Sequence, residues 1–419
     1  MEHIIERPAI PSPAQPGELE RITTEEAVRL MTGLTSAIRG AETAALSQCL
    51  GRTLARDITA GFDNPPFPRS AIDGYACHWE DTVPASHSTP VSLRVLEEID
   101  AGHYSHTSVC RGEAVRIMTG APIPRGCDCC IRQEDTDYGE TDVAVFRNVK
   151  CWENYCFKGE DFKKGTLMIP AGRKLGYVET GILASLGLKD VPVIRTPRVA
   201  LITTGDEVIL PGDMLSEGKI YNSNLFLLNA RLMELGITPV CTGMIPDRPD
   251  QLAGALTGLS ANADLIITTG GVSVGKKDIV RTSLNMAGAR GIFWRVQLKP
   301  GSPTVFSILN HVPVVSLSGN PFGALANFEL LIRPMLSKMT GDPSLTAVRT
   351  RAVMDDPFPK ASMGRRFVRG HYEDGHIRLP QGLHSSGVLS TMYGCNCMVD
   401  IPAGTPCLNT GDVVDVVLL

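Results

Sequence analysis

Apolar positions follow three different patterns along the chain. Residues 1–20 carry no regular pattern, and Pro8, Pro11, Pro13 and Pro16 read as a flexible tail. Thr23 and Glu26 then form a capping-box pair, followed by Val28, Leu30, Met31 and Leu34 at rough helical spacing. From about 60 to 155, short β-prone runs such as Val91–Leu96, Ala114–Met118 and Val143–Phe146 lie between Gly, Pro and Asp turns. This stretch reads as an inserted β-domain over 60–155. It interrupts a mixed domain formed by 21–59 and 156–195, with one helix predicted near 176–187.

From 196 onward the pattern is regular. The runs Arg198–Thr203, Thr238–Met244, Asp264–Thr269 and Val312–Leu317 read as strands. The segments Asn222–Leu235, 249–261, Asp278–Met286 and Pro321–Met339 read as helices, the last a single long one. Strands that alternate with helices predict a mostly parallel, doubly wound sheet over 196–344. Residues 345–419 have short strands with several Gly and Pro, and read as a separate β-barrel or sandwich. The expected fold class is therefore α/β multidomain: a doubly wound domain, two β-rich domains and a discontinuous mixed α+β domain. No tandem repeat is present.

Composition narrows the function. The 419 residues are 43% hydrophobic and 20% charged, an ordinary globular balance. Forty Lys and Arg against 45 Asp and Glu leave a net charge of -5, which argues against a nucleic-acid binder. No apolar run reaches the ~20 residues that span a bilayer, and the acidic Met1–Arg7 is not signal-like. A cytoplasmic location is the expectation. The 12 cysteines include two clusters, Cys127-Asp128-Cys129-Cys130 and Cys395-Asn396-Cys397. Neither has the two-residue gap usual between zinc ligands, so small apolar side chains in strands fit better than a metal site.

In an open α/β sheet, ligands bind beyond the carboxyl ends of the strands. Three such ends carry glycine-rich or polar turns: Thr203–Glu207, Thr268–Gly275 and Ser316–Pro321. Together they point to a phosphate-bearing ligand, although none matches the P-loop or the dinucleotide fingerprint. Asp206, Glu207, Asp247 and Asp278 fall at the same edge. Carboxylates beside phosphates call for Mg²⁺, a hard cation that prefers oxygen; helix capping is the competing role for Asp278. Ser70–Ala76 and Lys158–Asp161 read in isolation as turns with acids. Arg295, Lys299, Arg365, Arg366 and Arg369 are candidate oxyanion-binding groups, Lys299 foremost because Lys299-Pro300-Gly301 is a constrained turn.

These segments resemble the MoeA family, the molybdopterin molybdenumtransferases related to the E domains of gephyrin and its plant counterpart. The matching segments, in family order, are Ser70–Ala76, Ile117–Pro122, Gly159–Asp161, Thr204–Glu207, Gly270–Gly275 with Asp278, Lys299–Gly301 and Gly319–Pro321. The resemblance implies a MoaB/MogA-like α/β domain and an elongated homodimer. Its active site would lie between the α/β domain of one subunit and the inserted domain of the other. It also implies that adenylylated molybdopterin and molybdate are the substrates, that AMP is released, and that Mg²⁺ assists. Asp278, Asp73, Asp161 and Glu207 would be the catalytic acids, with Asp278 and Asp247 toward the metal. Thr119, Gly205, Asp247, Gly270, Gly271, Ser273, Arg295, Lys299, Gly319, Asn320, Arg369 and Ser386 would bind substrate. A MogA-like adenylyltransferase and downstream molybdoenzymes are the implied partners.

The sequence departs from the family at several positions. Ser302 stands where a second lysine is usual, Ser318 where a proline precedes the glycine, and Gly323 where a serine follows. Cys156 stands near a common arginine. A lost lysine removes a point charge and a lost serine a donor. The nucleotide half thus reads as kept and the oxyanion half as altered. That leaves room for two alternatives: a divergent enzyme acting on another oxyanion or pterin, and a non-catalytic scaffold of the gephyrin kind.

Overall fold

A computed structural model describes residues 21–272 and 279–419. The chain divides into two units. The first comprises Met1–Thr43, Gly51–Thr53 and Pro192–Leu419; the second comprises Ala44–Leu50 and Leu54–Val191.

The first unit holds a six-stranded sheet in the order Cys241–Ile245, Val199–Thr204, Leu265–Thr269, Val312–Leu317, Pro303–Leu309, Arg290–Arg295. The first four strands are parallel, as alternation with helices predicts. The last two are antiparallel and form a β-edge that the alternation did not reveal. The Lys299–Gly301 turn reverses the chain between them without a crossover helix, so no helical segment marks the pair in sequence. Successive residues point to opposite faces. Leu201, Ile267 and Val315 join one core with Phe293, Phe322 and Leu228, while Ala200, Ile266 and Val314 join another with Leu252 and Leu284. This burial on both faces is why these strands read as continuous apolar runs.

Local chemistry fixes the helix starts. Thr23 accepts the Glu26 amide at 3.1 Å, and helix Thr24–Leu34 follows. Asn222 accepts the Leu225 amide at 3.2 Å and starts Ser223–Glu234. The long helix expected over Pro321–Met339 is instead three pieces: Pro321–Asn327, a π-helical turn Phe328–Ile332, and Arg333–Thr340. Pro334 has no amide to donate, and the Arg333 amide reaches back five residues to the Phe328 carbonyl. Five further strands, Arg349–Met354, His376–Arg378, Arg366–Glu373, Cys397–Ile401 and Val413–Leu418, close a barrel in that order. Of the barrel and sandwich expected there, the chain forms the barrel.

Asp264 pins the entry to the central strand. Its carboxylate accepts Arg195 at 2.5 and 2.9 Å and the Arg198 amide at 2.8 Å. Burial would raise this carboxyl, but the bonds from Arg195 and Arg198 prevail and hold it at about 2. A carboxyl depressed in the folded state contributes stability above its ordinary value of 3.8 and loses it as pH falls toward about 2. Asp264→Asn should therefore flatten the acid limb of stability in that window and lower stability at neutral pH. Urea midpoints measured along a pH series test this; parallel wild-type and variant curves would refute it.

The second unit carries a five-stranded sheet in the order Cys129–Arg132, Gly74–Cys77, Glu113–Ile117, Val91–Ile99, Asp142–Val145. Cys129 and Cys130 are buried strand residues, and burial pushes the Cys130 thiol up to about 12. Helix Tyr177–Ser185 lies where a helix was expected; the Glu179 carboxylate accepts the Gly176 amide at its start at 3.0 Å. Among the described residues, no helix is long and apolar enough to cross a membrane.

Candidate functional site

The carboxyl ends of the parallel strands bring the three predicted turns together. At the first, the Thr204 hydroxyl donates to Asp247 Oδ1 at 2.6 Å, and the Asp247 amide donates to Asp206 Oδ1 at 3.1 Å. Asp206 and Asp247 are thereby adjacent. The second turn packs onto the first: a Cβ on Gly270, at φ +93°, would lie 1.9 Å from the Thr204 carbonyl oxygen. Only glycine fits there, for both conformation and clearance. The Gly270 amide donates to the Leu317 carbonyl at 3.2 Å, and Thr269 Oγ1 donates to the Ser318 carbonyl at 2.9 Å, tying the second turn to the third. Asn224 Nδ2 donates to Thr269 Oγ1 and to the Gly319 carbonyl, at 3.0 and 2.8 Å. Asn224 was not singled out in the sequence. Its signal is a polar residue on the buried face of helix Ser223–Glu234.

Gly205, Glu207, Asp247, Gly270, Gly271, Gly319 and Asn320 thus share one edge of one sheet. Ser273 and Asp278 lie outside the described residues. Among the described residues, no three His, Cys, Asp or Glu side chains are grouped as a metal would require.

Ser318 and Asn320 also line a cavity of about 1160 Å³ in the same unit, with Lys299, Ser302, Arg366 and Ser386. The Lys299 backbone is held on both sides. Its amide donates to the Arg365 carbonyl at 2.9 Å, and its carbonyl accepts the Phe367 amide at 2.7 Å. Its side chain is exposed and makes no ion pair among the described residues. The barrel arginines differ in what they can offer an anion. Arg365 is neutralised by Asp400, at 2.8 and 2.6 Å, and by Glu25, the one carboxylate lining the cavity among the described residues. Arg366 lies over the Phe358 ring at 5.6 Å and keeps a buried Nε without a partner. Among the described residues, Arg21, Lys299, Lys360 and Arg366 line the cavity without an ion pair, so its positive charge comes from these rather than from Arg365.

Arg369, expected to face an oxyanion, is 1% exposed and does not line the cavity. It donates to the Val388 and Ser385 carbonyls and to Thr391 Oγ1, and its guanidinium stacks 4.2 Å from the Phe322 ring centre. Its position holds the loop that carries Ser386. Arg295 ends the edge strand and is not among the cavity residues.

The second unit carries the remaining candidates. Asp73 accepts both the Thr119 amide and its hydroxyl at 2.7 Å, and these bonds hold its carboxyl below the ordinary value. Asp161 Oδ2 accepts Asn64 Nδ2 at 2.9 Å. Cys156 lies directly across an antiparallel ladder from Arg69, an exposed cation that the sequence reading had passed over.

These features define an α/β protein whose joined strand-end turns adjoin a cavity lined by several cations. Residues 22–187 match the profile "MoeA N-terminal region (domain I and II)", 200–338 match "Probable molybdopterin binding domain", and 351–419 match "MoeA C-terminal region (domain IV)". A molybdopterin molybdenumtransferase of Bacillus subtilis is 35% identical over 385 residues, covering 90% of each chain. One from Staphylococcus aureus strain COL is 33% identical over 403 residues, 95% of each. A solved structure of the molybdopterin biosynthesis MoeA protein from Pyrococcus horikoshii superposes with a TM-score of 0.77 at 31% identity, covering 96% of this chain and 100% of that one. The chain belongs to the MoeA family.

Proposed function

We propose that this chain is a molybdopterin molybdenumtransferase: it takes adenylylated molybdopterin and molybdate, releases AMP and leaves molybdenum on the dithiolene sulfurs. The observation that carries this reading is the shared turn Ser318–Asn320. It belongs both to the three joined strand-end turns and to the cavity lined by the cations Arg21, Lys299, Lys360 and Arg366. A phosphate-binding edge and an oxyanion-binding cavity with a common wall suit a reaction that needs a nucleotide and an oxyanion together.

In this reading the backbone around Gly205, Gly270, Gly271 and Gly319 approaches the pyrophosphate closely, as only glycines permit. Ser273 and Arg295 would add substrate contacts. Lys299, Arg366, Asn320 and Ser386 would surround molybdate, with Arg369 setting the Ser386 loop. Asp73 with Thr119, and Asp161, would be the groups of the second unit that contact substrate, and Glu207 and Asp278 would act at the sheet edge. Asp206 and Asp247 suit Mg²⁺, which uses one or two carboxylates and completes its shell with water and substrate phosphate; Asp278 would be the further ligand. When bound, the ion would offset phosphate charge and polarise the phosphoryl oxygens. A homodimer in the cytoplasm, supplied by a MogA-like adenylyltransferase and serving molybdoenzymes, is the setting this reading implies.

The test is direct. Purified protein, adenylylated molybdopterin and Mg²⁺ should release AMP in proportion to added molybdate, with formation of cofactor that activates an apo-molybdoenzyme. No AMP and no active cofactor at millimolar molybdate would reject the proposal.

A further inference from the structure

The turn that presents Lys299 is held from beneath by a residue about 25 positions away, in a way that neither the strand pattern nor the family segments indicate. Asn327 closes helix Pro321–Asn327 and is completely buried. Its Nδ2 donates to the Gly301 carbonyl at 2.7 Å and to Thr304 Oγ1 at 2.6 Å. Thr304 Oγ1 in turn donates to the same Gly301 carbonyl at 2.8 Å. Two donors thus converge on one carbonyl in the middle of the turn. Asn327 Oδ1 is buried and has no partner, so its amide orientation is dictated by the Gly301 carbonyl.

Steric fit shows the same coupling. Gly301 has φ +96°, and a Cβ there would lie 2.4 Å from Asn327 Nδ2. A Cβ on Gly323, one helical turn before Asn327, would lie 3.3 Å from Gly301 Cα and N. Gly323 therefore lets the turn sit close to the helix, and Asn327 reaches across to fasten it. The Ser302 carbonyl is fastened separately, by the Val296 amide at 3.0 Å.

From this we infer that Asn327, with the clearance left by Gly323, is a positioning residue for oxyanion binding: it sets the Lys299–Ser302 turn and so the height of the Lys299 cation in the cavity. Asn327 is too deeply buried to touch substrate. The role rests on the proposed use of Lys299 toward molybdate. It also changes the meaning of Gly323: a Cβ there meets the Gly301 backbone at 3.3 Å, so Gly323→Ser alone should push the turn away from the helix and harm this chain.

The variants Asn327→Asp and Asn327→Ser remove the Nδ2 donor, the first with no change in size and the second with less bulk, so that one serves if the other does not fold. Half-saturation by molybdate and by adenylylated molybdopterin is measured separately. Hydrogen exchange is followed at Val296 and Phe367, whose amides bond the turn's carbonyls, with the barrel amide of Val399 as reference. The expected result is a molybdate half-saturation raised at least fivefold, that for adenylylated molybdopterin changed less than twofold, and faster exchange at Val296 and Phe367 only. Equal changes for both substrates, or unchanged exchange at the two turn reporters, would overturn the inference. If the wild-type protein shows no response to molybdate, the functional reading fails and exchange alone decides whether the clamp exists.

Discussion

Replacing Lys299 with alanine should raise the molybdate concentration needed for half-maximal turnover by at least tenfold. The ammonium is exposed, has no carboxylate partner among the described residues and stands beside Arg366 at the cavity wall. A hydrogen bond to a charged group contributes roughly 1.5–3 kcal/mol, and each ~1.4 kcal/mol is a factor of ten. Lys299→Arg should recover only part of the loss, because a planar fork replaces a compact point charge. The backbone of residue 299 is fixed by two hydrogen bonds that no side-chain change removes, so the variant should fold as the wild type does. Steady-state kinetics with molybdate varied at saturating adenylylated molybdopterin make the measurement. An unchanged molybdate dependence would move the oxyanion away from this cavity.

The second large effect is on stability. Glu329 is buried within the π-helical turn and accepts Arg231 at 2.7 and 3.2 Å and Arg333 at 2.7 Å. Glu329→Ala would leave Arg333, 6% exposed, as a buried cation whose only remaining bond among the described residues is to the Leu345 carbonyl. Breaking one side of such a network typically costs ~3–5 kcal/mol, because an uncompensated charge remains buried. The urea midpoint of the transition that includes helix Ser223–Glu234 should fall accordingly. The double variant Glu329→Leu with Arg333→Met should lie closer to wild type, since a well-packed apolar pair removes the stranded charge. A single variant as stable as wild type would show that the network contributes little.

Much of the strand-end edge was legible because it depends on local order. Buried strands read as continuous apolar runs, and the polar or glycine-rich residues that end them necessarily fall at the carboxyl edge. Asp206 and Asp247 were placed together by that logic, and a hydrogen bond joins them. Asp73 and Thr119 were drawn from separate matching segments, and two hydrogen bonds join them across an antiparallel sheet. The cavity beside it was harder to read. Arg365, Arg366 and Arg369 look equivalent as letters. One is neutralised by Asp400 and Glu25, one keeps an unpaired Nε at the cavity, and one is buried on Phe322 holding a loop. Those fates are set by long-range partners, which no local pattern encodes.

The sequence by itself determined the helix cap at Thr23, the parallel strands and the glycine turns after them. Each follows from residues within a few positions, where hydrogen-bond reach and side-chain period are fixed by the backbone. Tertiary structure alone decided the antiparallel edge reached through Lys299–Gly301, the break in the helix at Phe328–Ile332 and the fastening of Gly301 by Asn327. These depend on whether an atom 3 Å away exists in a neighbouring segment. A Cβ that is harmless in an isolated chain becomes a collision at Gly301 or Gly323 only once helix and turn are packed together.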